Sequence, residues 1–303
     1  MRVYLDNAAT TPLDEEVLDA MLPVLKDGFG NPSSIHSYGR KIKSLIERAR
    51  KNVAKHLNCE PGEIFFTSGG TEADNMAIRC AVKDLGVKHI VTSTIEHHAV
   101  GHTINRLKAK GLVDVTYVHL DEIGHIDLQH LDQILSTSAK TLVSLMHANN
   151  EVANLLPLHR VSEICQKHGA VFHSDTVQTM AHYRFDMQKL ELVHFLACSA
   201  HKFHGPKGVG FLYVNKSVQI NPLIHGGSQE RNMRGGTENV YGIVGLSKAM
   251  DVAYKDLSIH QNYVMDLKSY MIEQLNNSIV GVKYNADSSS MDNSLYTILS
   301  VSL

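Results

Sequence analysis

Beyond residue 60 the chain alternates short apolar runs with longer amphipathic stretches. The apolar runs Glu63–Thr67, His89–Ser93, Val113–His119, Thr141–Met146, Ala170–His173, Leu192–Cys198 and Val209–Val214 have the length and residue types of strands. Between them, Glu72–Leu85, Ala99–Lys110, Leu128–Leu135 and Leu158–Lys167 repeat apolar residues at helical spacing. In the last of these, Leu158, Val161, Ile164 and Cys165 share one face, with Pro157 at the start and Gly169 at the end. Two earlier helices, Asp14–Lys26 and Ser33–Leu57, flank the turn Gly28-Phe29-Gly30-Asn31-Pro32. After Thr237 a helical region runs to about Asn277, followed by strand-like Val280–Tyr284, polar Ala286–Asn293 and a last strand, Leu295–Val301. Such alternation predicts an α/β fold, with a mostly parallel seven-stranded sheet between helices.

Composition narrows the setting. The 303 residues are 43% hydrophobic and 20% charged, enough for one large domain or two modest ones. A net charge of −2 gives no electrostatic reason to expect nucleic acid or an anionic membrane. No apolar run approaches the roughly 20 residues of a membrane helix. The opening Met1–Asn7 lacks the apolar core of a signal peptide. Cys59, Cys80, Cys165 and Cys198 are scattered without a CxxC pair, so a reducing cytoplasm is expected. Among 19 histidines, His98 and His102 are four apart and His201 and His204 three apart, without a third ligand nearby; no metal site is expected.

Ligands of open α/β sheets bind at the carboxyl ends of strands, and these positions hold polar residues here. Thr67-Ser68-Gly69-Gly70-Thr71-Glu72 follows an apolar run and opens a helix, which suits an anion, although a plain capped turn reads the same way. Glu96-His97-His98 offers an imidazole for stacking or proton transfer, and His147-Ala148-Asn149-Asn150-Glu151 offers amides. Asp175, in His173-Ser174-Asp175-Thr176-Val177-Gln178, can keep a ring nitrogen protonated, with Gln178 three residues on; a turn cap is the plainer reading. Lys202, in Ser199-Ala200-His201-Lys202-Phe203-His204-Gly205, is an amine on a turn between two strands. Alone, a lysine in a Gly/Pro turn is usually a solvated charge. Together the five fit the parts of a pyridoxal phosphate (PLP) site.

Tyr4–Pro12, Gly30–His36, Ser68–Glu72, Glu96-His97, His147–Glu151, Asp175–Gln178, Ser199–Gly208 and Arg231–Asn239 resemble the signature of the cysteine desulfurases, in the class V branch of the fold-type I PLP enzymes. The resemblance implies conversion of L-cysteine to L-alanine with enzyme-bound sulfur, feeding iron–sulfur cluster or thio-cofactor synthesis. It implies that Lys202 bonds PLP and moves protons at the substrate's α-carbon, that Asp175 pairs with the pyridine nitrogen, and that Gln178 bonds the ring hydroxyl. His97 would stack on the ring, Gly70, Thr71, Ser199 and His201 would hold the phosphate, and Asn150 would lie near cofactor and substrate carboxylate. Thr237 would reach the phosphate of a neighbouring subunit, implying a homodimer, and a sulfur-acceptor or scaffold protein is the expected partner.

The resemblance divides the chain into a large domain, 14–258, and an incomplete α+β small domain, 259–303, joined by the N-terminal segment 1–13. It places the family's persulfide-forming cysteine loop and a carboxylate-binding arginine beyond Leu303. A truncated form is therefore expected, one that binds PLP without sustained turnover and exposes apolar strand surface at Leu295–Leu303. Cys80 and Cys165 on helices, Cys198 in a strand and Cys59 at an exposed helix end are poor substitutes. A selenocysteine lyase, another lyase of the same branch or an inactive PLP-binding fragment are the alternatives.

Overall fold

The computed structural model describes residues 2–303; Met1, the first residue of the N-terminal segment, lies outside them. Strands β1 (Ile64–Thr67), β2 (His89–Thr92), β3 (Asp114–Tyr117), β4 (Thr141–Ser144), β5 (Val171–Asp175), β6 (Phe195–Ser199) and β7 (Gly210–Val214) form one sheet. Their order in space is β1-β7-β6-β5-β4-β2-β3, and among them only β7 runs against its neighbours. Successive strand residues enter opposite cores, which explains why these segments read as nearly continuous apolar runs. Ile64, Phe66, Val91, Val143, Phe172, Leu196 and Phe211 pack towards helices α1 (Glu15–Asp27), α2 (Ser37–Leu57), α5 (Leu128–Thr137), α6 (Leu158–Lys167) and α8 (Val240–Lys255). Phe65, Ile90, Leu142, Val171, Phe195 and Leu212 pack on the other face, under α3 (Gly70–Asp84) and α4 (His98–Ala109).

Local chemistry sets the helix ends. Asp14 Oδ1 accepts the Glu16 N–H at 2.8 Å and starts α1. The second helix begins at Ser37 and not at Ser33, because Asn31 holds the Ser33 and Ser34 N–H groups in a turn. The helical region after Thr237 breaks at Asp256 into α8 and α9 (Leu257–Ser278). Between β7 and α8 lies the short α7 (Gln229–Asn232), whose Glu230, Arg231 and Asn232 have left-handed backbone. Glu230 is buried there and takes both Arg50 guanidinium nitrogens at 2.8 Å, together with the Phe66 N–H.

The C-terminal segment departs from its expected form. Val280–Tyr284 contributes only β8 (Lys283–Tyr284), paired with β9 (Val301–Ser302). Of the expected strand Leu295–Val301, only Val301 lies in a strand. Leu295, Tyr296 and Ile298 lack the strict alternation of a strand and bury themselves against Ala148 and Ala153 instead. The apolar edge expected at 295–303 is therefore covered, with Leu303 left exposed. Lys268 on α9 reaches into this segment, donating to Ser294 Oγ at 2.7 Å and to the Leu295 carbonyl at 3.3 Å. Among the described residues no helix is long and apolar enough to cross a membrane.

Candidate active site

Asp175 and Ser199 are the last residues of β5 and β6, and both point to the α3 face. Gly70 and Thr71 open α3 beside them, so strand ends and a helix start meet at a cavity of about 470 Å³. Gly70, Thr71, His97, Asn150, Asp175, Gln178, Ser199, His201 and Lys202 all line it. Thr237 does not: it is exposed, beside a separate, smaller cavity of about 150 Å³.

The N-terminal segment forms the wall behind the amine. Lys202 Nζ donates to the carbonyls of Ala8 and of Ala9, the second at 3.0 Å. Gln178 Nε2 donates to Ala8 O at 3.0 Å, and His201 Nδ1 lies 3.1 Å from Thr10 Oγ1. Backbone bonds from Thr11 N–H to His201 O and from Asp14 N–H to His204 O complete the strap. Burial pushes the Lys202 amine below its ordinary value, against the pull of Asp175 and Asp6. An amine set this way spends more time neutral and nucleophilic.

At the other end stands an anion cradle. Gly69 has φ +147°, a backbone that L side chains rarely adopt, and no side chain caps the first turn of α3. A Cβ at Gly70 would meet Val177 Cγ2 at 2.5 Å, so helix and β5 turn approach as closely as a glycine allows. The free N–H groups, the helix dipole and the Ser199 hydroxyl suit a phosphate. Arg234 pairs with Glu72 in the same turn at 2.9 Å, tying the loop after α7 to this helix start.

Between amine and cradle lies a buried acidic wall. Asp175 is 5% exposed, and its Oδ1 accepts the Val177 N–H at 2.9 Å. Asp74, one helical turn beyond Gly70, lines the same wall. Burial raises both carboxyl groups, and each would repel the other if both ionised. Burial also lifts the neighbouring Glu96 to about 8. Glu96 Oε1 accepts from Ser93 Oγ at 2.7 Å and from the Met146 N–H at 3.0 Å, joining the two loops that carry His97 and Asn150. Asn149 Nδ2 adds a second tie, to Ile95 O at 2.8 Å. His97 Nδ1 accepts the Ala99 N–H at 3.1 Å, which fixes the ring at the start of α4.

Sequence reasoning missed Asp74 and the carbonyls of Ala8 and Ala9. The one signal for Asp74 was its position four residues after Gly70, on the same helix face. The four cysteines stand apart from the cavity lining. Cys59 is half-buried, not exposed, and burial pushes its thiol, like that of Cys80, up to about 12. Cys165 and Cys198 are buried and raised as well. Among the described residues no group of three or more His, Cys, Asp or Glu could hold a metal ion.

Known proteins resemble the chain over nearly its whole length. The class-V aminotransferase family profile matches residues 3–301. A cysteine desulfurase IscS from Dictyoglomus turgidum is 46% identical over 93% of this chain and 72% of its own length. A putative cysteine desulfurase IscS 1 from Bacillus subtilis is 42% identical, over 94% and 75%. A NifS-like protein of known structure superposes with a TM-score of 0.94 at 42% identity, over 100% of this chain and 82% of its own. SspA, solved in complex with cysteine, superposes with a TM-score of 0.85 at 33% identity, over 99% and 83%.

Proposed function

The chain belongs to the class-V aminotransferase family, in its cysteine desulfurase branch, and on that premise we propose that it takes sulfur from L-cysteine, leaving L-alanine, with PLP held in this cavity. The observation that carries the reading is the meeting of an amine (Lys202), a buried carboxyl (Asp175) and an uncapped helix start (Gly70, Thr71) around one cavity. That the related SspA was solved with cysteine supports cysteine as substrate.

The donor set fits PLP at both ends: an anion cradle for its phosphate and a carboxyl for its ring nitrogen. Once bound, its protonated ring supplies an electron sink for charge developing on the substrate's α-carbon. Lys202, steadied by two carbonyls, is the amine that would hold the cofactor and later move a proton at that carbon. Asp175 would accept the ring N–H, a positive partner that would favour its ionised form against its burial. The Gln178 side chain, fixed on Ala8 O, would hydrogen-bond the ring oxygen. His97, whose Nδ1 is an acceptor, carries its proton on Nε2 when neutral and would stack on the ring. Ser199 and His201 would join the cradle, and Asn150, which lines the same cavity, would lie by the cofactor and the substrate carboxylate.

A homodimer belongs to the same reading. Thr237, exposed and away from its own cavity, would serve the phosphate of a second copy, and exposed Phe29, Ile35 and Tyr38 support such a contact. None of the four cysteines lines the cavity, so sulfur would pass to a thiol outside the described residues, such as that of an acceptor protein in the cytoplasm.

The test is direct. Borohydride reduction of the PLP-loaded protein should fix the cofactor to the peptide carrying Lys202, and Lys202→Ala should lower alanine release on the order of 10³-fold. Alanine release should also require added thiol. A folded wild type left unlabelled under these conditions would sink the proposal.

A further inference from the structure

One layer beneath the acidic wall, a polar row crosses an otherwise apolar sheet. Ile90, Leu142 and Val171 are neighbours in register across β2, β4 and β5. Two residues further along, the same positions hold Thr92, Ser144 and His173, all facing α3. His173 Nδ1 lies 2.9 Å from Ser144 Oγ, and its Nε2 lies 3.3 Å from Asp74 Oδ1. Side chains of His173 and Asp74 are 0% and 1% exposed, and the two facing atoms, though close, form no hydrogen bond with each other or with any other protein atom. Buried polar atoms so sparsely paired weaken a core, so the row calls for a role beyond packing.

Its neighbours suggest one. Asp74 lies on α3 one turn beyond Gly70, the start of the anion cradle, while His173 lies two residues before Asp175 on the same face of β5. The pair therefore bridges the two elements that grip opposite ends of the ligand. The groups facing it are Asp175 from its own strand, Ser144 from β4 and, on the Asp74 side, Glu96 from the loop after β2.

We propose that Asp74 and His173 are positioning residues that act through Asp175: a protonated Asp74 donates to Nε2 of neutral His173, whose Nδ1–H donates to Ser144 Oγ. This chain fixes the start of α3 against β5 and leaves Asp175 as the single carboxylate ion under a protonated ring nitrogen. An ionised Asp74 would place a second negative charge in the same dry wall. Burial pushes the Asp74 carboxyl up and the His173 imidazole down to about 4, in keeping with two neutral partners. The inference rests on the PLP reading above for its ligand, but its hydrogen-bond chain can be read without the cofactor.

The experiment is ¹⁵N NMR of histidine side chains in the cofactor-free full chain, with His173 assigned by its loss in His173→Gln. A neutral ring with the proton on Nδ1 is expected from about pH 5.5 to 8. Asp74→Leu should move the Nε2 resonance and weaken PLP binding about tenfold or more, the effect of one buried hydrogen bond, while Asp74→Asn stays within about threefold of wild type. Should Asp74→Leu not fold, Ser144→Ala removes only the acceptor and should move the Nδ1 resonance. An imidazolium ring or a proton on Nε2 overturns the inference alone, as does wild-type PLP affinity in Asp74→Leu or an unmoved Nδ1 in Ser144→Ala. A wild type that takes up no PLP overturns the functional reading, and this role with it, whatever the tautomer.

Discussion

Arg50 in the large sheet region and Lys268 in the C-terminal region are both nearly buried, at 1% and 5% exposure, yet only Arg50 sits against carboxylates. Burial works against its charge, but Glu230 and Glu47 outweigh that and hold the guanidinium above its ordinary value. The Phe66 ring lies 4.8 Å from its Cζ, and Ile64 O takes one of its N–H groups at 2.7 Å. Lys268 meets neutral oxygens, from Ser290, Ser294 and Leu295, with Asp287 a more distant attraction. Burial wins there and brings its amine down to about 8. The difference is one of partner chemistry. A planar fork matched to a carboxylate keeps its charge in a dry place, whereas an ammonium among carbonyls and a hydroxyl is half inclined to lose its proton.

The contrast can be broken in three ways. Glu230→Ala strands a buried guanidinium and should lower unfolding stability by about 3–5 kcal/mol in denaturant titration. A loss below about 1 kcal/mol would mean that water or Glu47 replaces the lost partner. Lys268→Met keeps most of the volume and removes bonds to neutral groups, so its cost should be about 1 kcal/mol. That cost should appear as lower exchange protection in 288–295 and not across the large sheet. The smallest effect is a pH dependence. The Lys268 amine is less basic folded than unfolded, so from about pH 8 towards 10 the unfolded chain keeps a proton that the folded one has lost. Stability of this region should therefore rise over that window, measured as protection factors corrected for the intrinsic exchange rate. Lys268→Met should flatten the rise, and an equal slope in both proteins would show that another group is responsible.

Much of the large region was legible because each buried strand writes its own pattern. The seven strands fall within a few residues of their expected bounds, with Asp175 closing β5 where the turn was expected to follow it. Residues named for the site, Thr237 apart, lay in short motifs at strand ends, where topology gathers them without further information. Asp74 was hidden because its partner, His173, is 99 positions away by number and belongs to a different motif. The carbonyls of Ala8 and Ala9 were hidden more deeply, since a backbone acceptor leaves no mark in the identity of its residue. Leu295–Val301 was misread because a run of apolar side chains says that a segment is buried but not by what. Its cover is the loop around Ala148 and Ala153, and no propensity scale contains that contact.

The strap over Lys202 has a consequence for how the molecule is made. Thr11 Oγ1 donates to a carbonyl 190 residues further along the chain, at His201. On a ribosome, this segment is thus made well before the turn that seats it. At ordinary rates of synthesis it waits on the order of 10 to 40 seconds while its counterpart is still being joined together.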